Sequence, residues 1–222
     1  MKIRTVEQNE ETQARIAAER LTSDVLSGAL APGVKLRVAE LKSLYGIGAS
    51  PLREALSRVA SLGYVTNESR RGYRVAEMSQ PDLADITRAR QVVEVGMVRE
   101  SMGRRDAEWE MGVVASWEQL KWVLRKNAGD RLGGERVAAA HKRLHTSIVA
   151  GSSSPRLLAM QDLLFDQAAR YRALMLAELH SAADFLRTHE VLVELVLSED
   201  IELAAGELED HLHRTLREVY RA

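Results

Sequence analysis

Gly46-Ile47-Gly48-Ala49-Ser50-Pro51-Leu52-Arg53-Glu54-Ala55-Leu56 is the stretch on which the fold reading turns. Two glycines around Ile47 make a tight break. Ser50 is expected to cap a helix that carries Pro51 in its first turn and runs to about Leu62. Upstream, Glu10 to Ser27 has Ile16, Leu21, Val25 and Leu26 at near-helical spacing, ended by Gly28 and the Ala31-Pro32-Gly33 turn. Val38 to Leu44 reads as a short second helix with Ala39, Leu41 and Leu44 as its apolar side. Downstream, Gly63 ends the third helix, and Tyr64-Val65-Thr66 and Gly72-Tyr73-Arg74-Val75 are short strands joined by a polar tip, Asn67 to Arg71. Helix, short helix, glycine turn, capped helix and basic hairpin, in that order, is the layout of a winged helix-turn-helix.

That layout predicts binding to double-stranded DNA. A helix fits the major groove with its N-terminal side chains against base edges. Ser50 and its neighbouring amides sit where the helix dipole favours a phosphate. Arg53 lies one turn in and Arg58 further along, and Arg70 and Arg71 before Gly72 make the wing tip basic. The candidate DNA-contact set is Arg37, Ser50, Pro51, Arg53, Arg58, Arg70, Arg71 and Gly72. A solvated amphipathic helix beside a surface hairpin would explain any one of these arginines, but not the ordered set. Charge supports the division of labour: residues 1–76 hold 12 Lys/Arg against 8 Asp/Glu, and the remainder 19 against 24.

From Ser79 and Pro81 to Ala222 only helical patterns occur. Breaks near Gly103, Asn127–Gly134, Gly151–Pro155, His180–Ser181 and Ser198–Asp200 divide them into about six helices. The expected fold class is mainly α: a winged helix-turn-helix of three helices plus a β-hairpin wing over 1–76, and an all-α bundle over 77–222. No run of about 18 apolar residues suggests a membrane span, the polar N-terminus lacks a signal peptide's apolar stretch, and there is no cysteine. A cytoplasmic protein with no thiolate chemistry is the expectation.

The six histidines, 141, 145, 180, 189, 211 and 213, all lie in the second domain. His141 and His145 are four apart and share a helix face. With His189 and His211 from two other helices, neutral imidazoles can meet at one divalent metal, zinc or nickel given a nitrogen-only donor set. An accidental i,i+4 pair on a surface helix is the plainer alternative. His141-Lys142-Arg143-Leu144-His145 also has the H-x-x-x-H spacing of zinc hydrolases, so a metal-dependent hydrolase is the rival function. Lys142 stands where such an enzyme keeps its general-base glutamate, which argues against it. Arg90 beside Glu94, and Arg170, Tyr171 and Arg172, are candidate contacts for a small organic acid, since arginine pairs carboxylates bidentately. Arg90 and Arg172 are the named effector candidates, Arg172 preferred.

Gly46 to Leu56, followed by Gly63-Tyr64-Val65 and Arg70-Arg71-Gly72-Tyr73-Arg74-Val75, resembles the GntR family of transcriptional regulators, and the helical C-terminus resembles its FadR-type subgroup, whose effector domain is called FCD. The likeness covers nearly everything after about residue 12. CsiR-like regulators of short dicarboxylate metabolism share the Gly-Ala-Ser-Pro-Leu-Arg-Glu run. Many members have Arg-Thr-Pro where this chain has Ala49-Ser50-Pro51, so base reading would rest more on Arg53 and the wing. The resemblance implies a metal held at His141, His145, His189 and His211. The first of these is usually Asp or Asn in the family. Four neutral ligands leave the ion's charge uncompensated and favour an anionic effector, a small organic acid such as a dicarboxylate. It further implies a homodimeric repressor on a pseudo-palindromic operator, released by ligand, and places His180 and His213 outside the motif.

Overall fold

The computed structural model describes residues 2–68, 72–126, 134–178 and 182–220. The chain divides into two compact units, Met1–Met78 and Ser79–Ala222.

In the first unit, α1 (Lys2–Leu26) precedes the two-residue strand β1 (Lys35–Leu36), α2 (Val38–Tyr45), α3 (Ala49–Ser61), β2 (Val65–Glu68) and β3 (Gly72–Val75). α1 starts well before the expected Glu10 because neither glycine nor proline occurs between residues 2 and 26. Its buried seam is Ala14, Ala17, Leu21 and Val25, small near the start and large near the end. Gly46, in the left-handed region at φ 69°, closes α2 with its amide on the Lys42 carbonyl. That conformation is open to glycine at little cost and sets the turn into α3. The cap of α3 corrects the sequence reading. Gly48, not Ser50, is the N-cap, and it makes no side-chain cap bond. Leu52 donates the first helical amide bond, to the Gly48 carbonyl at 3.2 Å, so Pro51 stands in the first turn where an N–H would be idle anyway.

The sheet order is β1-β3-β2, antiparallel throughout. β1 was not expected: two residues carry no alternation, and only pairing of Lys35 with Arg74 and Leu36 with Tyr73 makes them a strand. Asn67 and Glu68, expected at the hairpin tip, pair with Tyr73 and Gly72. Leu44 is 64% exposed, so the inner side of α2 is Leu41 with half-buried Val38 and Tyr45. The Tyr45 hydroxyl donates to Asp24 at 2.5 Å. Leu21, Leu41, Leu52, Leu56, Val59, Tyr64 and Val75 form the core.

The second unit is α4 (Gln80–Gly103), α5 (Ala107–Lys126), α6 (Glu135–Ile148), α7 (Pro155–Glu178), α8 (Ala182–Leu197) and α9 (Ile201–Val219), six helices among the described residues. Ser79 caps α4 by accepting from the Asp82 amide. The Tyr171 hydroxyl donates to Asp82 at 2.6 Å and accepts from the Ser79 amide at 3.0 Å, tying α7 to the start of α4. α9 runs antiparallel to α4, since Gln91 meets the Glu209 carbonyl while Arg99 pairs with Glu202 at 2.7 Å. Met97, Leu120, Leu144, Ile148, Leu192 and Leu208 fill the centre. Among the described residues no helix is long and apolar enough to cross a membrane.

The α6–α7 turn rests on α4 at Gly151, where a Cβ would lie 2.8 Å from the Ser101 Cα. Backbone cannot yield as a flexible side chain can. Gly151→Ala is therefore expected to cost roughly 1–3 kcal/mol of second-unit stability, the usual range for overpacking, read as a lowered urea midpoint. An unchanged midpoint would show that the turn moves freely.

Candidate functional site

The exposed side of α3 is Ala49, Ser50, Arg53, Glu54, Ser57 and Arg58. Its other side, Pro51, Leu52, Ala55, Leu56 and Val59, is buried. Pro51 is thus a correction to the DNA-contact set: its ring faces the core and serves the helix start. Arg53 stands on the surface with no ion-pair or hydrogen-bond partner among the described residues, so its guanidinium is available to a ligand. Arg58 pairs with Glu54 at 2.5 Å and Arg37 with Glu40 at 2.7 Å, both exposed pairs. Such pairs are worth little and yield to a phosphate. Arg74 is held inside the wing by Glu68 at 3.2 Å and by the Gly33 carbonyl, so it braces the sheet. Gly72 is exposed at φ 89°. Arg70 and Arg71 lie outside the described residues.

In the second unit the seams of three helices each carry histidine among apolar residues: Val137, Ala140, His141, Leu144, His145 and Ile148 on α6; Phe185, His189, Leu192 and Val196 on α8; Ala204, Leu208, His211 and Leu212 on α9. A heptad-like spacing that would ordinarily place leucine inside places imidazole there instead. The four rings converge, all buried, with one ligand nitrogen from each lying within 4.8 Å of the others. His189 Nδ1 is 2.7 Å from the Phe185 carbonyl. A carbonyl only accepts, so Nδ1 carries the proton and the Nε2 lone pair points inward, 2.8 Å from His141 Nε2. His145 Nε2 and His211 Nδ1 are buried without any partner. Burial is the leading cause that holds all four rings below the ordinary imidazole range, with neighbouring histidines, Arg172 and Arg90 adding to it for His141. His189 falls to about 4.

Arg90 and Arg172 differ in a way the sequence could not express. Arg90 is fully engaged by Glu94, with Nε to Oε1 at 2.6 Å and Nη2 to Oε2 at 3.2 Å, in a buried pair. Of the two arginines named as effector candidates, Arg90 is thus the one already paired inside the protein and not among the residues lining the cavity beside the histidines. Arg172 donates one bond, from Nη2 to the Phe165 carbonyl at 3.0 Å, and lies 4.0 Å over the Phe165 ring. Its Nη1 is buried with no partner. Burial first, then Arg90, pushes its pKa down to about 9, so it remains a cation at neutral pH and an unpaired one. A cavity of about 70 Å³ opens beside these groups, lined by His141, Arg172, His189, His211, Arg214 and Thr215 among others. That is room for several waters or a small acid. Arg214 and Thr215 were not anticipated from sequence. The available signal was their spacing, three and four residues after His211 on one helix face. Lys142 turns away to Asp162 and Asp166, at 2.7 Å each. His213 is half-buried in a groove between α4 and α9, and His180 lies outside the described residues.

A three-helix unit with a small antiparallel wing, and a helical unit with a cavity beside four buried histidines, define the class of two-domain winged helix-turn-helix regulators. The family model for bacterial regulatory proteins of the gntR family matches residues 13–75, and that for the FCD domain matches 85–214. The chain is 37% identical over 196 residues to the HTH-type transcriptional repressor GlaR of Escherichia coli K12, covering 86% of this chain and 89% of that one. It is 29% identical over 199 residues to the HTH-type transcriptional regulator BphR of Paraburkholderia xenovorans LB400, covering 89% and 81%. A Rhodococcus sp. RHA1 structure described as a transcriptional regulator GntR superposes with a TM-score of 0.76 at 18% identity, covering 95% of this chain and 99% of that one. The chain belongs to the GntR family of transcriptional regulators, in the branch that carries an FCD domain. It is a DNA-binding regulator and not an enzyme, and the hydrolase reading falls with the family assignment.

FCD domains are often associated with a metal, and these residues fit one. Two buried imidazole nitrogens lack a partner, a third is aimed inward by a carbonyl, and all four donors are neutral. A pH effect follows for metal-free protein. Each ring titrates lower when folded than its unfolded value near 6.5, so the unfolded chain takes up protons first as pH falls. The stability is fully present above about pH 6.5 and is lost as pH drops toward 4, the folded value of His189. For that residue alone the loss is on the order of 3 kcal/mol. Urea unfolding of chelator-treated protein at pH 7.5 and 5 is expected to show a lower second-unit midpoint at pH 5, and equal midpoints would contradict neutral burial.

Proposed function

We propose that this regulator represses transcription as a cytoplasmic homodimer on a pseudo-palindromic operator, and is released when a small organic acid binds a metal held by its FCD domain. Residues 1–76 bind DNA and residues 77–222 sense the ligand and dimerise. The observation that carries the reading is the convergence of four neutral buried imidazoles beside a cavity that also holds an unpaired guanidinium, Arg172.

His141, His145, His189 and His211 would hold the ion, with zinc or nickel suited to an all-imidazole set. The metal supplies a Lewis-acidic centre whose charge no protein ligand cancels. His189 is oriented by Phe185, and Arg172 offers its free Nη1 to a carboxylate. Ligand can shift DNA affinity only if it binds the DNA-competent and incompetent states unequally. On the DNA side, Ser50, Arg53 and Arg58 are exposed on α3 and Arg37 is exposed at the start of α2; with Arg70 and Arg71 of the wing sequence, they are the residues proposed to meet DNA. The repressor assignment draws on GlaR being named a repressor.

His145→Ala should lose most bound metal and the stabilisation conferred by acids, while operator binding persists. Elemental analysis with thermal melts, with and without chelator, reads both, and full metal content in that variant would refute the ligand set. Arg53→Ala is expected to weaken specific binding by roughly 1–3 kcal/mol if Arg53 reads a base. Anisotropy titrations on operator and random duplexes decide this, because equal losses on both would make it a phosphate contact.

A further inference from the structure

Ser79-Gln80-Pro81-Asp82 starts α4, with Ser79 as its cap. Ser-x-x-Asp is a capping-box pattern. The serine hydroxyl accepts the amide of the third residue on, and that residue's carboxylate accepts the serine's own N–H. Half of the box is closed here. Ser79 Oγ accepts the Asp82 amide at 3.3 Å, but a side chain from α7 has entered the return bond. The Tyr171 hydroxyl accepts the Ser79 amide at 3.0 Å and donates to Asp82 Oδ2 at 2.6 Å, so it stands between the two partners of the box.

The cap can therefore be satisfied in two forms. With Tyr171 inserted, α7 is fastened to the first turn of α4. With Tyr171 withdrawn, Asp82 can take the Ser79 amide directly, and the hydroxyl, beside an exposed aspartate, can take water. Neither form leaves a buried donor unpaired, so exchange between them costs little. The two ends of this element lie at telling places. Ser79 is the first residue of the second unit, where the chain arrives from Met78 at the end of the helix-turn-helix unit. Tyr171 is followed directly by Arg172, whose Nη1 is buried without a partner and which lines the cavity beside the histidines. Tyr171 itself does not line that cavity.

We propose that Tyr171 is a positioning residue that transmits occupancy of the cavity to the start of α4: inserted in the cap it holds the operator-binding form, and ligand at Arg172 favours its withdrawal. This rests on the reading of the protein as a repressor released by a small acid. Successive residues on a helix point about 100° apart. A turn of α7 that seats Arg172 Nη1 on an anion thus carries the Tyr171 hydroxyl off the cap. Ligand opposes the latch and also releases the operator, so the latched form is the one that binds DNA. Coupling of this kind needs an element with two discrete arrangements that both sites bias, and the interrupted box is one.

The test measures release in full-length, zinc-loaded protein, with a duplex selected by the wild type from random-sequence DNA as operator. Anisotropy gives the operator Kd with and without saturating butanedioate, and calorimetry gives butanedioate binding to DNA-free protein. In the wild type, butanedioate is expected to weaken operator binding about tenfold or more. Tyr171→Phe lacks only the hydroxyl. It should bind operator more weakly from the outset and cut that ratio to about twofold or less, with butanedioate bound no more weakly than by the wild type. Asp82→Ala attacks the latch from α4 and leaves α7 intact. It should lower the ratio too, and the double variant should lower it no further than Tyr171→Phe does. Should Tyr171→Phe not fold, Asp82→Ala carries the test alone. Amide exchange separates the latch from plain capping: the Ser79 N–H should stay protected in Tyr171→Phe, where the box closes, and exchange freely in the double variant. A wild-type ratio in both single variants overturns the latch. So does a Ser79 amide that exchanges freely in Tyr171→Phe, or a Tyr171→Phe protein that no longer binds butanedioate, since the residue would then serve the cavity itself. If butanedioate binds the wild type and leaves operator affinity unchanged, ligand release fails and the latch with it. If calorimetry shows no binding, the carboxylate reading has failed first and takes the latch down.

Discussion

Four imidazoles and a guanidinium buried in one helical bundle impose the constraint around which the second unit is built. An apolar interior opposes charge, so the rings stay neutral, and each then presents a lone pair that must find a partner or remain an energetic liability. Among the described residues one ring nitrogen, His189 Nδ1, has a backbone partner, and that bond turns its other nitrogen toward His141. The cluster is unfinished as protein alone. Its neutrality at physiological pH is also what makes it competent for a cation, since a protonated imidazole cannot ligate.

The surrounding structure serves to hold that incomplete group in place. α4 packs lengthwise on α9 and α7, and the Tyr171 hydroxyl joins α7 to the cap of α4 through Asp82 and Ser79. The buried Arg90–Glu94 pair and Arg172 both lie against the Phe165 ring, which itself touches His141 and His145. A shift at the histidines would therefore be felt by α7 and α4 through packed side chains. Glu94 pairs with Arg90 directly, whereas among the described residues no carboxylate forms an ion pair with Arg172. That asymmetry between two equally buried arginines is what makes Arg172, rather than Arg90, the proposed ligand contact.

The first unit obeys a different logic. Its core is apolar throughout, and its polar groups are on the outside, where arginines paired with nearby glutamates stay exchangeable. α3 divides cleanly into a buried face around Leu52 and Leu56 and an exposed face around Arg53. The glycines at 46 and 48 set how that exposed face is delivered, one by a left-handed turn and the other by an extended cap.

The sequence by itself determined the two-unit division, the order of the helices and the four histidines, because periodicity, glycine and proline breaks and i,i+4 spacing are local properties of a chain. It misplaced the α3 cap by two residues and overlooked β1, whose two residues become a strand only through Tyr73 and Arg74 on the other side of the unit. It could not tell Arg90 from Arg172, nor see Arg214 at all. Whether a buried cation is satisfied depends on which carboxylate lies within about 3 Å of it, and that is set by how helices pack. Four histidines spread over 71 positions are legible one by one; that their nitrogens lie within 4.8 Å of one another was decided only when α6, α8 and α9 came together.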